Sequence, residues 1–171
     1  NWGVFHSDIT LGNRLILNTN GAETTGYWGA NTFNSSVFSI GSVRDANSSN
    51  AVGYVFAEVE GFSKISSFEG NGNADGPFIS TGFAPALVIW KNADTAGNHW
   101  VMADRARSPH NVSVERLFPD LTNAESTSTA MCDFLSNGFK IRSTMGEINT
   151  SGDDIVYIAF AESPFKTATA R

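Results

Sequence analysis

Glu58 and Glu162 stand in the same Phe-Ala-Glu context in the two halves of the chain. Two carboxylates brought face to face could act as acid and base in a sandwich-fold glycosidase, which needs a separation of roughly 5–10 Å. Repeated residues at equivalent strand positions more often do equivalent structural work, here pairing with Arg14 and Arg116, so the structural role is preferred. Asn71, Asn73 and Asp75 carry the N-x-N-x-D-G spacing that opens a calcium loop. Calcium takes about six to eight oxygens, several from carboxylates. Here Asp75 is the one charged ligand, and the twelfth position is Gly82 instead of Glu. A Gly/Asn-rich turn is the preferred reading, and calcium is the only cofactor suggested at all. Asp153 and Asp154 are a second, equally thin oxygen pair.

His6, His99 and His110 show no metal-binding spacing. There is no G-x-S-x-G and no Gly-rich phosphate loop. No residue is assigned a catalytic role, and the expectation is a protein that is not an enzyme. Asp104, Arg105, Arg107, Glu115 and Arg116 concentrate charge, and an ion-pair network closing a sheet edge is preferred over a substrate clamp. Aromatic residues in polar loops are the better candidates for ligand contact. Tyr27 and Trp28 lie between glycines, and His99 and Trp100 follow a stretch rich in Asn, Asp and Gly. A sugar ring stacked on an exposed indole beside Asn side chains would make a lectin-like face. The competing reading is a tryptophan buried at a strand end, and it is the stronger one for Trp100.

These residues must be held by strands. Residues 82–91, GFAPALVIWK, form the longest apolar run. Breakers on either side and β-branched residues within predict a strand buried on both faces, with Pro85 at its start. Further strands are expected over 1–7, 14–18, 36–41, 51–59, 62–68, 78–79, 100–104, 116–118, 139–142 and 155–162. Residues 62–68 alternate strictly, as a half-buried strand does. Residues 70–76 and 107–112 read as loops. The nearest thing to a helix is a single turn over 123–128.

The 171 residues have room for one substantial core, so a single domain over 1–171 is expected. Hydrophobic residues make up 41%, and 13 Phe with 4 Trp supply aromatic bulk, while only 16% are charged. Such a balance fits an all-β chain with many turns. A net charge of −6 argues against a nucleic-acid partner, which would need a basic stripe. No apolar stretch is long enough for membrane insertion. Cys132 is the one cysteine, which excludes an internal disulfide; between Met131 and Phe134 it reads as a core residue.

The chain is one pattern written twice. Arg14, Leu15, Ala22, Glu23 and Thr25 recur as Arg116, Leu117, Ala124, Glu125 and Thr127, an offset of 102 positions. Phe33, Phe38, Ile40 and Ser42 recur as Phe134, Phe139, Ile141 and Ser143, an offset of 101. Phe56-Ala57-Glu58 recurs as Phe160-Ala161-Glu162 at 104, and Trp2 as Trp100 at 98. The half-repeats run over about 1–66 and 83–166. The apolar strand that opens the second half has no counterpart in the first. With the non-Met start, this leads to the expectation of a fragment of a longer chain. The fold expected is all-β: a two-layer antiparallel β-sandwich, jelly-roll or concanavalin-like, built from an internal duplication. A long barrel is the alternative.

Three stretches carry a family likeness: residues 53–94, GYVFAEVEGFSKISSFEGNGNADGPFISTGFAPALVIWKNAD; RLFPDLTNAES with DFLSNGFKIRS; and YIAFAESPFK. They resemble a repeated module of tail-fibre and other virion structural proteins of tailed bacteriophages. WGVFHSDITLGNRLILNT and NTFNSSVFSIG look like the first half of the same module. The resemblance spans nearly the whole chain. It implies a virion-associated β-sandwich without catalytic residues, serving structure or host attachment. Partners would be other virion proteins, further copies in a homo-oligomer (trimers being common among fibre proteins), and a bacterial surface glycan. Two other readings stand beside it: a carbohydrate-active sandwich enzyme using Glu58 and Glu162, and a purely architectural capsid or tail decoration.

Overall fold

Strand β5, Pro85–Asn92, lies inside a four-stranded antiparallel sheet. The computed structural model describes residues 1–25, 36–37 and 52–164. In chain order the other elements are β1 Gly3–Val4, β2 Leu15–Ile16, β3 Ser63–Glu69, β4 Phe78–Ser80, β6 Val101–Asp104, β7 Cys132–Leu135, β8 Gly138–Ile141, the helical turn α1 Gly146–Asn149, and β9 Asp154–Ala161. The four-stranded sheet has the order β3-β9-β5-β6, a second has β4-β8-β7, and β1 pairs with β2. Every pairing is antiparallel, so the described residues form an all-β structure with one short helical turn.

Alternation along β5 and β9 places cores on both faces of the larger sheet. Val88, Trp90, Tyr157 and Ala159 face the three-stranded sheet and meet Ile79, Phe134, Phe139 and Ile141. Phe139 sits at the centre, fully buried, with its ring 5.5 Å from Trp90 and 5.3 Å from Tyr157, both edge-on. Edge-to-face contact is the geometry aromatic quadrupoles favour. On the opposite face, Ile89 and Val156 pack with Ile9, Leu15 and Trp100 under the β1–β2 pair. The strand is therefore apolar without alternation because both of its faces are covered. Pro85 does open β5, as its missing N–H requires. Gly138 is required where β4 meets β8: a Cβ there would stand 2.0 Å from the Ile79 carbonyl oxygen.

Several sequence expectations need correction. Residues 52–58 form no strand, and the isolated bridge Val59↔Ser63 is the first pairing after them. Residues 116–118 make only isolated bridges, Arg116↔Ser126 and Met102↔Leu117. The helical turn falls at α1 and not over 123–128. β7, built around buried Cys132, was not expected, because its apolar and polar residues alternate over only four positions. Of the strand expected over 36–41, only 36–37 lie within the described residues.

Some backbone contacts recur at the sequence offsets. Arg14↔Thr24 and Arg116↔Ser126 are the same bridge displaced by 102 at both ends. Val4↔Leu15 and Met102↔Leu117 correspond at offsets of 98 and 102. The Trp2 N–H donates to Asn18 Oδ1 at 2.9 Å, and the Trp100 N–H donates to Asp120 Oδ1 at 3.2 Å.

Candidate functional site

Of the four aromatic candidates, Tyr27 and Trp28 lie outside the described residues. Trp100 is not a stacking platform. It is 7% exposed, packs with Leu15 and Val156, and donates its indole N–H to the Ile16 carbonyl at 2.9 Å. The non-local partner that buries it, β2, lies in the other half of the chain, so its burial could not be read from neighbouring residues. His99 keeps a partly exposed edge, with Nδ1 2.7 Å from Asp120 Oδ2 and its ring edge-on to Phe118. Asp120 also accepts the Trp100 N–H, so its buried carboxylate ties the loop after β5 to the loop after residue 118. Lys91, at the end of the apolar run, is fully buried, with Nζ donating to the Asn92 carbonyl at 2.7 Å. Burial pulls its pKa down to about 8, and the charges of Asp120 and Glu147 partly oppose that.

The 71–75 loop closes on itself. Asn71 Oδ1 accepts the Asn73 N–H and Asn73 Oδ1 accepts the Asp75 N–H, both at 2.9 Å. Asn149, fully buried on α1, accepts the Asn71 N–H at 2.8 Å and donates Nδ2 to Asn71 Oδ1, the Asn73 carbonyl and the Ser143 carbonyl. The carboxylate of Asp75 pairs with Lys140 at 2.9 Å and Arg142 at 3.4 Å, and the hydrogen bond from Lys140 holds its pKa below the usual range. The oxygens that the calcium spacing suggested are thus spent on backbone N–H groups and cations, the arrangement of a braced turn. Among the described residues, no group of three or more His, Cys, Asp and Glu side chains is placed to hold a metal.

Glu58 and Glu162 do not pair with Arg14 and Arg116. Glu58 binds Lys64 at 2.8 Å, and that hydrogen bond holds its pKa below the usual range. Glu162 binds Arg105 at 2.9 Å. The charged cluster makes ion pairs, Asp104 with Arg107 and Arg107 with Glu125, while Ser108 donates to Glu115. Arg116 is buried and lies over the Phe118 ring at 5.6 Å. Asp104, Arg105 and Arg107 make ion pairs as expected of this cluster, whereas Glu115 accepts a hydroxyl hydrogen bond and Arg116 donates to the Thr129 carbonyl.

The feature the sequence did not single out is residues 52–59, VGYVFAEV. Val52, Tyr54, Val55 and Phe56 are 74%, 71%, 70% and 59% exposed. Exposure at the consecutive positions Tyr54, Val55 and Phe56 means that side chains on opposite sides of this apolar segment meet solvent. Among the described residues, no backbone–backbone hydrogen bond reaches 52–58. Side chains hold it in place: Tyr54 stacks on Trp2 at 6.2 Å, Phe56 meets Phe160 edge-on at 5.9 Å, and Ser63 Oγ donates to the Ala57 carbonyl at 2.7 Å. Beside it opens a hollow of about 550 Å³ lined by Glu58, Glu60, Lys64 and Thr81. Exposed apolar surface of this kind marks sites of association.

Among the described residues, fold and site together define an antiparallel β structure with an apolar segment, 52–58, that no backbone–backbone hydrogen bond reaches. The chain belongs to the DUF7483 family, a domain of unknown function, whose profile matches residues 1–164. No curated protein and no solved structure matches the chain. Among the described residues, no helix is long and apolar enough to cross a membrane.

Proposed function

We propose that this protein is a non-catalytic structural and adhesion module of a bacteriophage tail fibre or tail-associated protein. It acts in the virion, in contact with other virion proteins and further copies of itself, and presents a surface to a host glycan. The observation that carries the assembly role is the apolar segment 52–58, which among the described residues makes no backbone pairing and which a protein working alone would bury. The likeness of residues 53–94 to phage fibre modules supplies the setting. The fold we propose is a two-layer, jelly-roll-like sandwich built by duplication. Its support is the shared core between the two larger sheets and the recurrence of the Arg14 and Arg116 bridges at one offset. Glu58 and Glu162 are each engaged by a cation of their own, Lys64 and Arg105, which supports a structural over a catalytic role for them.

The test is binding of the labelled protein to a panel of bacterial envelopes and purified surface polysaccharides, with and without chelator. Saturable binding to a few strains, unchanged by chelator and without saccharide release, is expected. Saccharide release that Glu162→Gln abolishes would refute the non-catalytic role. Absence of binding by the folded protein would refute adhesion and leave an architectural module.

A further inference from the structure

Residues 52–58 match β9 at an offset of 104: Val52 aligns with Val156, Val55 with Ala159, and Phe56-Ala57-Glu58 with Phe160-Ala161-Glu162. Their environments are opposite. Val156 is 2% and Ala159 0% exposed, against 74% for Val52 and 70% for Val55. The difference is a neighbour. β9 lies between β3 and β5, and β5 pairs with it from Leu87↔Phe160 through Asn92↔Ile155. Residues 1–51 contain no run like the PALVIWKN of β5. Among the described residues, a segment with the composition of a central strand therefore stands without a strand of the β5 type beside it.

We propose that residues 52–58 are an acceptor edge for a strand of the β5 type, an extended apolar segment of the P-A-L-V-I-W-K pattern supplied by an adjoining module. This deepens the assembly role proposed above and rests on the duplication. The geometry follows from the β5–β9 register. Shifted by the offset, the incoming strand runs antiparallel and sets its Leu87 equivalent opposite Phe56, its Val88 equivalent opposite Val55 and its Ile89 equivalent opposite Tyr54. Its Trp90 equivalent falls opposite Gly53, where the missing side chain leaves room for an indole. Main-chain hydrogen bonds supply affinity in strand addition, and alternate side chains supply specificity. Here the two exposed faces of 52–58 give the incoming side chains apolar surface on both sides.

The probe is a synthetic peptide of residues 83–94 added to the intact chain, read by amide hydrogen exchange. In the free protein, amides of 54–58 exchange fast; with saturating peptide they slow by about tenfold or more. Val55→Asp, at an exposed position that leaves the fold intact, removes that protection. A scrambled peptide gives none. Register is read by disulfide formation, which buried Cys132 does not disturb. Tyr54→Cys with an Ile89→Cys peptide, and Val55→Cys with a Val88→Cys peptide, are the matched pairs. One of these two consecutive pairs is non-hydrogen-bonded and close enough to bridge. The mismatched pair, Tyr54→Cys with Val88→Cys, puts the thiols on opposite faces. No protection by the peptide overturns the acceptor edge. Protection with the mismatched pair bridging overturns the inherited register, and with it the duplication, while the acceptor edge stands. Concentration-dependent dimerisation that protects 54–58 without peptide overturns the proposed occupant in favour of a second copy.

Discussion

Lys91 offers the sharpest quantitative test of the core. It is fully buried between Trp90 and Asn92, and its ammonium donates a hydrogen bond to the Asn92 carbonyl. Burial lowers its pKa from the ordinary 10.5 to about 8. Between those values the unfolded chain holds a proton that the folded chain has released, so stability rises with pH across the window and is lost as pH falls towards 8. At about 1.4 kcal/mol per unit, the whole window is worth about 3 kcal/mol. Two buried groups act in the opposite sense. Burial raises the Cys132 thiol above its ordinary 9.0 and raises Tyr157 from 10.0 to about 12, so each loses stability as the unfolded chain ionises it at high pH. Both remain in Lys91→Met, whose difference from the wild type isolates the lysine. At neutral pH, Lys91→Met should be more stable by about 2 kcal/mol, the 3 kcal/mol of removed burial cost less about 1 for the lost hydrogen bond. That advantage should vanish by about pH 10. Urea denaturation followed by tryptophan fluorescence reads it directly. A difference independent of pH, or a less stable variant at neutral pH, would refute the reasoning and show that Asp120 and Glu147 fully compensate the buried charge.

Phe139→Ala removes the ring on which Trp90, Phe68 and Tyr157 converge. It should cost about 3–5 kcal/mol in the same denaturation assay. Asn149→Ala leaves the Asn71 N–H and the Asn73 and Ser143 carbonyls without their partner. A loss of about 3 kcal/mol is expected, with faster amide exchange confined at first to 71–75. Exchange in that loop unchanged from the wild type would show that Asn149 does not brace it.

Much of the framework was legible along the chain. β5 announced itself by an unbroken apolar run with Pro85 at its head, β3 by the strict alternation of a half-buried strand, and β9 by the apolar residues of 155–161. These signals are local, because a residue's tendency to lie in a strand depends on its own side chain and its alternation with neighbours. The charged cluster after β6 was also legible as ion pairing, although the partners of Glu58 and Glu162 were misassigned: Lys64 and Arg105 reach them only once the strands are set side by side.

The sequence by itself determined the all-antiparallel β character and the strand at the centre, since hydrophobic pattern, turn residues and the lone cysteine act wherever the chain goes. Tertiary structure alone decided which strand-like segments acquire neighbours. Residues 52–58 and β9 share a pattern, yet one is exposed and the other buried, because a strand is completed by hydrogen-bonding partners distant in sequence. The same non-local logic buried Trp100 under β2, spent the Asn71 and Asn73 oxygens within a loop braced by Asn149, and enclosed the Lys91 ammonium. Capacity to form a strand is local physics, whereas partnership depends on the rest of the chain.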